Sequence, residues 1–206
     1  MRPSVPSQRD TGPSIAEAVV LVDGIDGSGK TSFAGLLADT MRLGGAEVAL
    51  VHVDDFRRSV AWNHPAGEAA VYWDQYFDLE AAGREVGRAV ADGQVVVLEG
   101  IFTLRLPAVA GAPLVYLEVD YSIAADRIFR RDTARGRTPE DVRHRIEARY
   151  FPAQRRYRAE YLPCDRAAVL IDSTDAASMR LVRGDWARLP GAAADALRRL
   201  LPVESA

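Results

Sequence analysis

Lysine is almost missing from this chain. Of its 26 basic residues 25 are arginine, and Lys30 alone carries a side-chain ammonium. A planar guanidinium is accepted nearly everywhere a positive charge stands, so the one place held by a compact ammonium is worth locating first. Cysteine is equally scarce. The single Cys164 excludes an internal disulfide, and no Cys/His cluster offers zinc spacing. One thiol suits a reducing compartment, and a cytoplasmic location is expected. Long apolar runs are absent: none approaches the roughly 20 residues that span a bilayer, so no membrane contact is expected. The short run Ala18–Val22 follows Glu17 and is too brief for a secretory signal core. Nor is positive charge in excess. A net charge of −3 argues against binding nucleic acid through bulk electrostatics.

What is present reads as an ordinary globular chain. Hydrophobic residues make up 48% and charged residues 27% of 206 positions, enough for one domain with a proper core. Residues 1–17, rich in proline and polar side chains, read as a flexible N-terminal tail, and 18–206 as a single domain. Five short β-branched runs predict buried strands: Ala18–Asp23, Glu47–Val53, Gln94–Glu99, Pro113–Val119 and Ala167–Asp172. Their unbroken Val/Leu content fits a parallel sheet covered on both faces. Helical patterns alternate with them over Lys30–Leu43, Leu79–Ala91, Ser122–Ala134, Pro139–Tyr161 (with a break expected at Pro152) and Gly191–Leu201. This alternation implies a doubly wound α/β fold whose ligands sit at the carboxyl ends of the strands.

The first predicted strand runs into Gly24-Ile25-Asp26-Gly27-Ser28-Gly29-Lys30-Thr31, which matches the phosphate-binding pattern G-x-x-x-x-G-K-[ST]. Glycines let the backbone turn so that its N–H groups point inward around phosphate oxygens. The following helix presents its free N–H groups to the same anion. Lys30 can reach the β- and γ-phosphates, and the Thr31 hydroxyl can ligate Mg²⁺. A chance glycine-rich turn would not sit between a strand and a helix around the only lysine. Gly24, Asp26, Gly27, Ser28, Gly29, Lys30, Thr31 and Ser32 are the expected nucleotide contacts.

Which class of phosphate-loop protein follows from other absences. The only asparagine is Asn63, followed by His64, which removes the Asn-Lys pair by which GTPase switches read guanine. The length leaves little room for the machinery of a remodelling ATPase, whereas a small-molecule kinase fits. Such an enzyme needs a carboxylate near the γ-phosphate to deprotonate or orient the acceptor hydroxyl. Asp54 and Asp55 follow the second strand directly, although a solvated acidic turn would look the same. Glu99 ends the third strand after four apolar residues and suits a role at Mg²⁺ or its water. Eleven of the 25 arginines fall between Arg127 and Arg158. Most, including Arg143, Arg145 and Arg155, read as a solvated face paired with Glu140, Asp141 and Glu147. Arg131, Arg135 and Arg137 read instead as phosphate contacts on a mobile lid, roughly residues 132–150.

These residues together resemble the uridine kinase family, in the group that also holds phosphoribulokinase and nicotinamide riboside kinase. The resemblance rests on the phosphate loop, Asp54-Asp55-Phe56, Glu99-Gly100-Ile101, Arg131-Asp132 with Arg135-Gly136-Arg137, and Tyr161-Leu162-Pro163. It covers Gly24 to about Asp172. It implies a P-loop fold with a five-stranded parallel sheet flanked by helices and an arginine-rich lid. It also implies Asp54 as general base, Thr31 and Glu99 as Mg²⁺ ligands, and Phe77-Asp78 as the counterpart of a sugar-binding element. Bottom-up, the stretch Tyr72, Trp73, Tyr76, Phe77 reads equally as a helix face packed in the core. Asp26-Gly27-Ser28-Gly29-Lys30 departs towards thymidylate kinases, whose Asp-Arg-Tyr element is missing here.

The expectation is therefore an ATP- and Mg²⁺-dependent phosphotransferase acting on a hydroxyl of a nucleoside or similar small acceptor. Lys30, Asp54 and Arg131 are its expected catalytic residues, and Asp54, Asp55, Phe77 and Asp78 its expected acceptor contacts. Two rivals stay open: a nucleoside monophosphate kinase, for which Arg57 and Arg58 leave room, and a nucleotide-binding regulator without transferase activity. A homo-oligomer is also left open.

Overall fold

The computed structural model describes residues 14–201. It contains one mixed sheet with strands in the order β2-β3-β1-β4-β5-β6. The strands are β1 (Val19–Gly24), β2 (Val48–His52), β3 (Val95–Glu99), β4 (Leu114–Glu118), β5 (Val169–Asp172) and β6 (Arg180–Gly184). The first five are parallel and match the five predicted runs within two residues at either end. The sixth corrects the expected count: β6 pairs antiparallel with β5 at the sheet edge. Its Arg-Leu-Val-Arg-Gly sequence is mostly exposed, so it shows no buried apolar run to announce it.

The central strand shows why the sequence folds this way. All six residues of β1 are buried. Val19 and Leu21 point into one apolar layer, Val20 and Val22 into the other, as period-2 geometry requires. The second layer holds α2 (Lys30–Leu43) and α9 (Gly191–Leu200). In α2, Phe33, Ala34, Leu37, Ala38 and Met41 repeat at helical spacing and are buried. Gly45, at φ 89°, then takes the left-handed turn that ends this helix. Removing Leu37 to the β-carbon would cost about 2–5 kcal/mol, the usual range for emptying a packed core position. The first layer holds α3 (Glu68–Asp74), α4 (Leu79–Ala91) and α7 (Phe151–Tyr161).

Two further corrections concern the chain's less regular parts. Of the expected tail, residues 1–13 lie outside the described residues, but Ile15–Ala18 form a short helix, α1. The Glu17 carboxylate accepts from both the Ser14 N–H and the Ser14 hydroxyl, which caps the turn. The long predicted helix Pro139–Tyr161 is three pieces: α6 (Pro139–Arg145), a π turn (Ile146–Tyr150) and α7. Thr138 caps α6 by accepting from the Asp141 N–H at 3.2 Å. Pro152 has no N–H and its ring crowds the preceding turn; the widened π turn just before it absorbs both defects. The remaining α-helices are the long α5 (Tyr121–Ala134) and the short α8 (Pro163–Arg166). Among the described residues no helix is long and apolar enough to cross a membrane.

Candidate active site

The phosphate loop leaves β1 at the sheet's carboxyl end and closes onto the first turn of α2. Its glycines are sterically required. A β-carbon at Gly24 would stand 2.7 Å from the Leu117 carbonyl oxygen, and one at Gly27 2.6 Å from that of Ala124 on α5. Gly27 and Gly29 also take φ of 82° and 88°, conformations that side chains disfavour. The Ser28 hydroxyl inside the loop is fully buried and unpartnered among the described residues, which suits a loop built to close on an anion. Arg127 fastens α5 to this loop, donating to the Gly27 carbonyl at 3.2 Å and to the Ser173 and Thr174 carbonyls at 2.9 and 2.8 Å. Sequence reading placed Arg127 only in a dense arginine region; nothing in its spacing marked this role.

Immediately before the loop, Asp23 is 0% exposed. Its carboxylate accepts from Gly24 N–H at 2.6 Å, Thr103 N–H at 2.8 Å, and the hydroxyls of Thr103 and Tyr157 at 2.7 Å each. Burial pushes this carboxyl above its ordinary value, and the hydrogen bonds from Thr103 and Tyr157 work against that shift. Next to Thr103, Phe102 adopts φ 68° while completely buried, so packing by Tyr72, Trp73 and Tyr157 holds a backbone conformation that is locally unfavourable.

Lys30 is 8% exposed. Its ammonium lies 3.6 Å from Asp26 Oδ1 and 3.5 Å from the Ile25 carbonyl. Burial alone would lower its pKa, but the charges of Asp26, Glu99, Asp54 and Asp23 outweigh it and hold the group above the ordinary value. Lys30 is therefore a committed cation facing four acids. The other Asp26 oxygen, Oδ2, accepts from the Tyr72 hydroxyl at 2.9 Å and from Gln154 Nε2 at 2.8 Å. Those partners come from α3 and α7, 46 and 128 residues away, which no local pattern could reveal.

Thr31 and Glu99, the two residues expected at Mg²⁺, lie side by side. The Thr31 hydroxyl donates to Glu99 Oε1 at 3.1 Å, and Glu99 Oε2 meets His52 Nδ1 at 2.7 Å. The Glu99 hydrogen bond raises the His52 pKa above its ordinary value, burial working against it. A hydroxyl and a carboxylate oxygen side by side are hard donors of the kind Mg²⁺ takes. No group of three or more His, Cys, Asp or Glu among the described residues could cage a metal alone. A site completed by phosphate oxygens and water is therefore the chemistry this donor set fits.

Outside the loop opens a polar cavity of about 280 Å³. Asp26 and Asp54 line one part; Arg57, Arg131, Arg135, Arg137 and Arg145 line the rest, with Tyr72, Tyr76 and Tyr150 between them. The Asp54 side chain stays 59% exposed, with Arg57 3.9 Å away. Partial desolvation within the cleft, then the charge on Asp26, raises the Asp54 carboxyl above its ordinary value, while Lys30 and Arg57 oppose the shift. Such a group holds a proton more readily than a free aspartate. Arg131 donates to Asp132 at 2.7 Å and Arg137 to Asp141 at 3.4 Å. Arg145, read from sequence as a solvated partner of Asp141, does pair with it at 2.8 Å but also lines the cavity.

Three expected acceptor residues are not brought to this cavity. Asp55 is exposed on the short turn after β2 and does not line it. Phe77 is buried in the core against Tyr72 and Phe102. Asp78 caps α4 through the Ala81 N–H at 2.9 Å and pairs with Arg58 at 2.8 Å. The sequence suggested a sugar-binding pair; the alternative reading, a core-packed aromatic face, describes Phe77.

A phosphate loop at the carboxyl end of β1, beside a cavity lined by acids and arginines, defines a P-loop α/β fold. Solved proteins share this fold. A possible uridine kinase from Bacillus stearothermophilus matches with a TM-score of 0.55 and 20% identity over 82% of this chain and 92% of that one. A candidate fructose transport system kinase from Silicibacter sp. TM1040 matches with a TM-score of 0.54 and 19% identity over 76% and 88%. At such identities the likeness is one of fold. No family model matches the chain, and no curated protein matches it in sequence.

Proposed function

We propose that the chain is a P-loop kinase that transfers the γ-phosphoryl group of ATP, as its Mg²⁺ complex, to a hydroxyl of a small polar acceptor such as uridine, cytidine or a related nucleoside. The observation that carries this reading is one cavity lined both by the carboxylates of Asp26 and Asp54 and by Arg131, Arg135 and Arg137. A protein that only binds nucleotide has no use for a proton acceptor with a raised pKa in the same cavity as these arginines. The fold-level neighbours support the class, since one is described as a possible uridine kinase and the other as a candidate sugar-transport kinase. A single thiol and a need for ATP fit a cytoplasmic setting.

In this reading the loop amides hold the phosphates and Thr31 with Glu99 holds the Mg²⁺, which would neutralise charge on the phosphates. Asp54 takes the proton of the acceptor hydroxyl as its oxygen bonds to the γ-phosphorus and the bond to ADP breaks. Lys30 and the arginines stabilise charge on the transferring group. Arg57 beside Asp54 gives one specific reason for a second reading, an acceptor that already bears a phosphate; Arg58, held by Asp78 outside the cavity, adds none.

The test is ADP release from ATP and Mg²⁺ across nucleosides, simple sugars and nucleoside monophosphates, with Lys30→Ala as control. A nucleoside or sugar that drives turnover in the native protein and not in Lys30→Ala supports the proposal. A monophosphate hit selects the second reading. ATP binding without turnover on any acceptor would refute the kinase assignment in favour of a nucleotide-binding regulator.

A further inference from the structure

The two carboxylate oxygens of Glu99 are divided between two partners. Oε1 accepts from the Thr31 hydroxyl on the phosphate-loop side, and Oε2 meets His52 Nδ1 at 2.7 Å. An ionised carboxylate only accepts, so Nδ1 carries the hydrogen and donates. His52 and Glu99 are Cα partners on the adjacent parallel strands β2 and β3, which places their side chains at one level on the same side of the sheet. Glu99 is 3% exposed, and among the described residues Thr31 and His52 are its carboxylate's only hydrogen-bond donors.

We propose that His52 is a positioning residue for cation use, its Nδ1–H fixing the Glu99 carboxylate so that Oε1 stays turned to the Thr31 hydroxyl. This rests on the kinase reading, because only a nucleotide-bound cation gives Oε1 a task. The terminal torsion of glutamate is broad and holds no preferred plane by itself. Without His52 the buried carboxylate would keep one neutral partner, and a competing attraction is Lys30, whose ammonium already feels the Glu99 charge. Rotation towards Lys30 would both spoil the cation site and engage the lysine needed at the phosphates. Partners that orient a metal's ligands typically change metal affinity 10–100-fold when removed.

Calorimetric titration of ADP with and without Mg²⁺ tests the assignment in native protein, His52→Ala and His52→Asn. In native protein Mg²⁺ should tighten ADP binding. His52→Ala should need about 10-fold or more Mg²⁺ for half that effect, while its Mg²⁺-free ADP affinity stays native. His52→Asn, whose amide N–H stands at the position of Nδ1, should recover most of the difference. An unchanged Mg²⁺ requirement in His52→Ala overturns the proposal, as does an Asn variant no better than Ala. Equal weakening with and without Mg²⁺ also overturns it, by showing a merely structural role. Native protein that binds ADP indifferently to Mg²⁺ removes the task of Glu99 and the proposal with it, leaving the phosphate-loop reading intact. Absence of ADP binding would overturn both.

Discussion

Deleting one oxygen atom, in Tyr157→Phe, probes how the phosphate loop is rooted. The Tyr157 hydroxyl donates to the buried Asp23 carboxylate at 2.7 Å and accepts from the Leu104 N–H at 3.2 Å. The ring is 2% exposed, so phenylalanine fills the same space and opens no cavity. A hydrogen bond to a charged group contributes about 1.5–3 kcal/mol, and a buried donor left alone costs about 1 kcal/mol at the lower end of its range. The expected loss is therefore about 2.5–4 kcal/mol. For a chain of this size each kcal/mol lowers Tm by about 2–4 °C, giving a fall of roughly 5–16 °C. Urea unfolding followed by circular dichroism would measure it, with an unchanged slope confirming that only stability moved. Thr103→Val alone and combined with Tyr157→Phe should show a coupling of about 0.5–3 kcal/mol, since both side chains serve Asp23. A loss below about 1 kcal/mol would refute the reasoning: Asp23 would then be carrying a proton and not acting as a charged acceptor for four donors.

Three other outcomes follow from the same coordinates. A β-carbon at Gly100 would stand 2.5 Å from the Val53 β-carbon, directly before Asp54. Gly100→Ala should destabilise the fold by about 1–3 kcal/mol and lower kcat on the identified acceptor far more than it weakens ATP binding; equal kcat in steady-state assays would contradict it. Thr174 foremost, with Arg180, holds the Asp172 carboxyl down to about 2. Because that pKa is depressed on folding, its stabilisation is complete above the unfolded value of about 3.9 and is lost as pH falls through about 2. Asp172→Asn should flatten that acid limb in a series of thermal melts, and an identical limb would contradict the pairing. Burial, followed by the Glu118 charge, pushes the Cys164 thiol up to about 11. At pH 8 iodoacetamide should modify it on the order of 100-fold more slowly than an ordinary thiol, as mass spectrometry would show; a rate within about 10-fold of a free thiol would contradict it.

Much of this architecture was legible because the signals are local. Val19–Val22 and Val95–Leu98 are continuous apolar runs, and Gly24 to Thr31 is a short motif whose every position has a backbone or charge reason. Glu99 and Asp54 could be picked out because strand ends are where such folds bind ligands. The rest depends on contacts between distant segments. Asp26 stood out in the motif, but that Tyr72 and Gln154 hold its Oδ2 could not be read from the sequence. Asp78 carried a resemblance, but the same residue is also a good helix cap, and here the cap is what its side chain does. Strand β6 escaped notice because an exposed edge strand needs only backbone pairing, and its two arginines disguise it.

The π turn at Ile146–Tyr150 makes one continuous rod into a lever with unequal arms. Its longer arm, α7, is bolted to the root of the phosphate loop by Tyr157 on Asp23 and Gln154 on Asp26. At the fulcrum, Arg149 lies over the Trp62 ring at 3.8 Å and pairs with Glu68, while Tyr150 borders the cavity. The shorter arm, α6, carries Arg145 and follows the Arg135-Gly136-Arg137 bend. Moving α7 would cost Asp23 its Tyr157 donor and Asp26 its Gln154 donor, so any swing of α6 would be taken up more cheaply at the widened turn and at Gly136, the two places where the helical ladder is already interrupted.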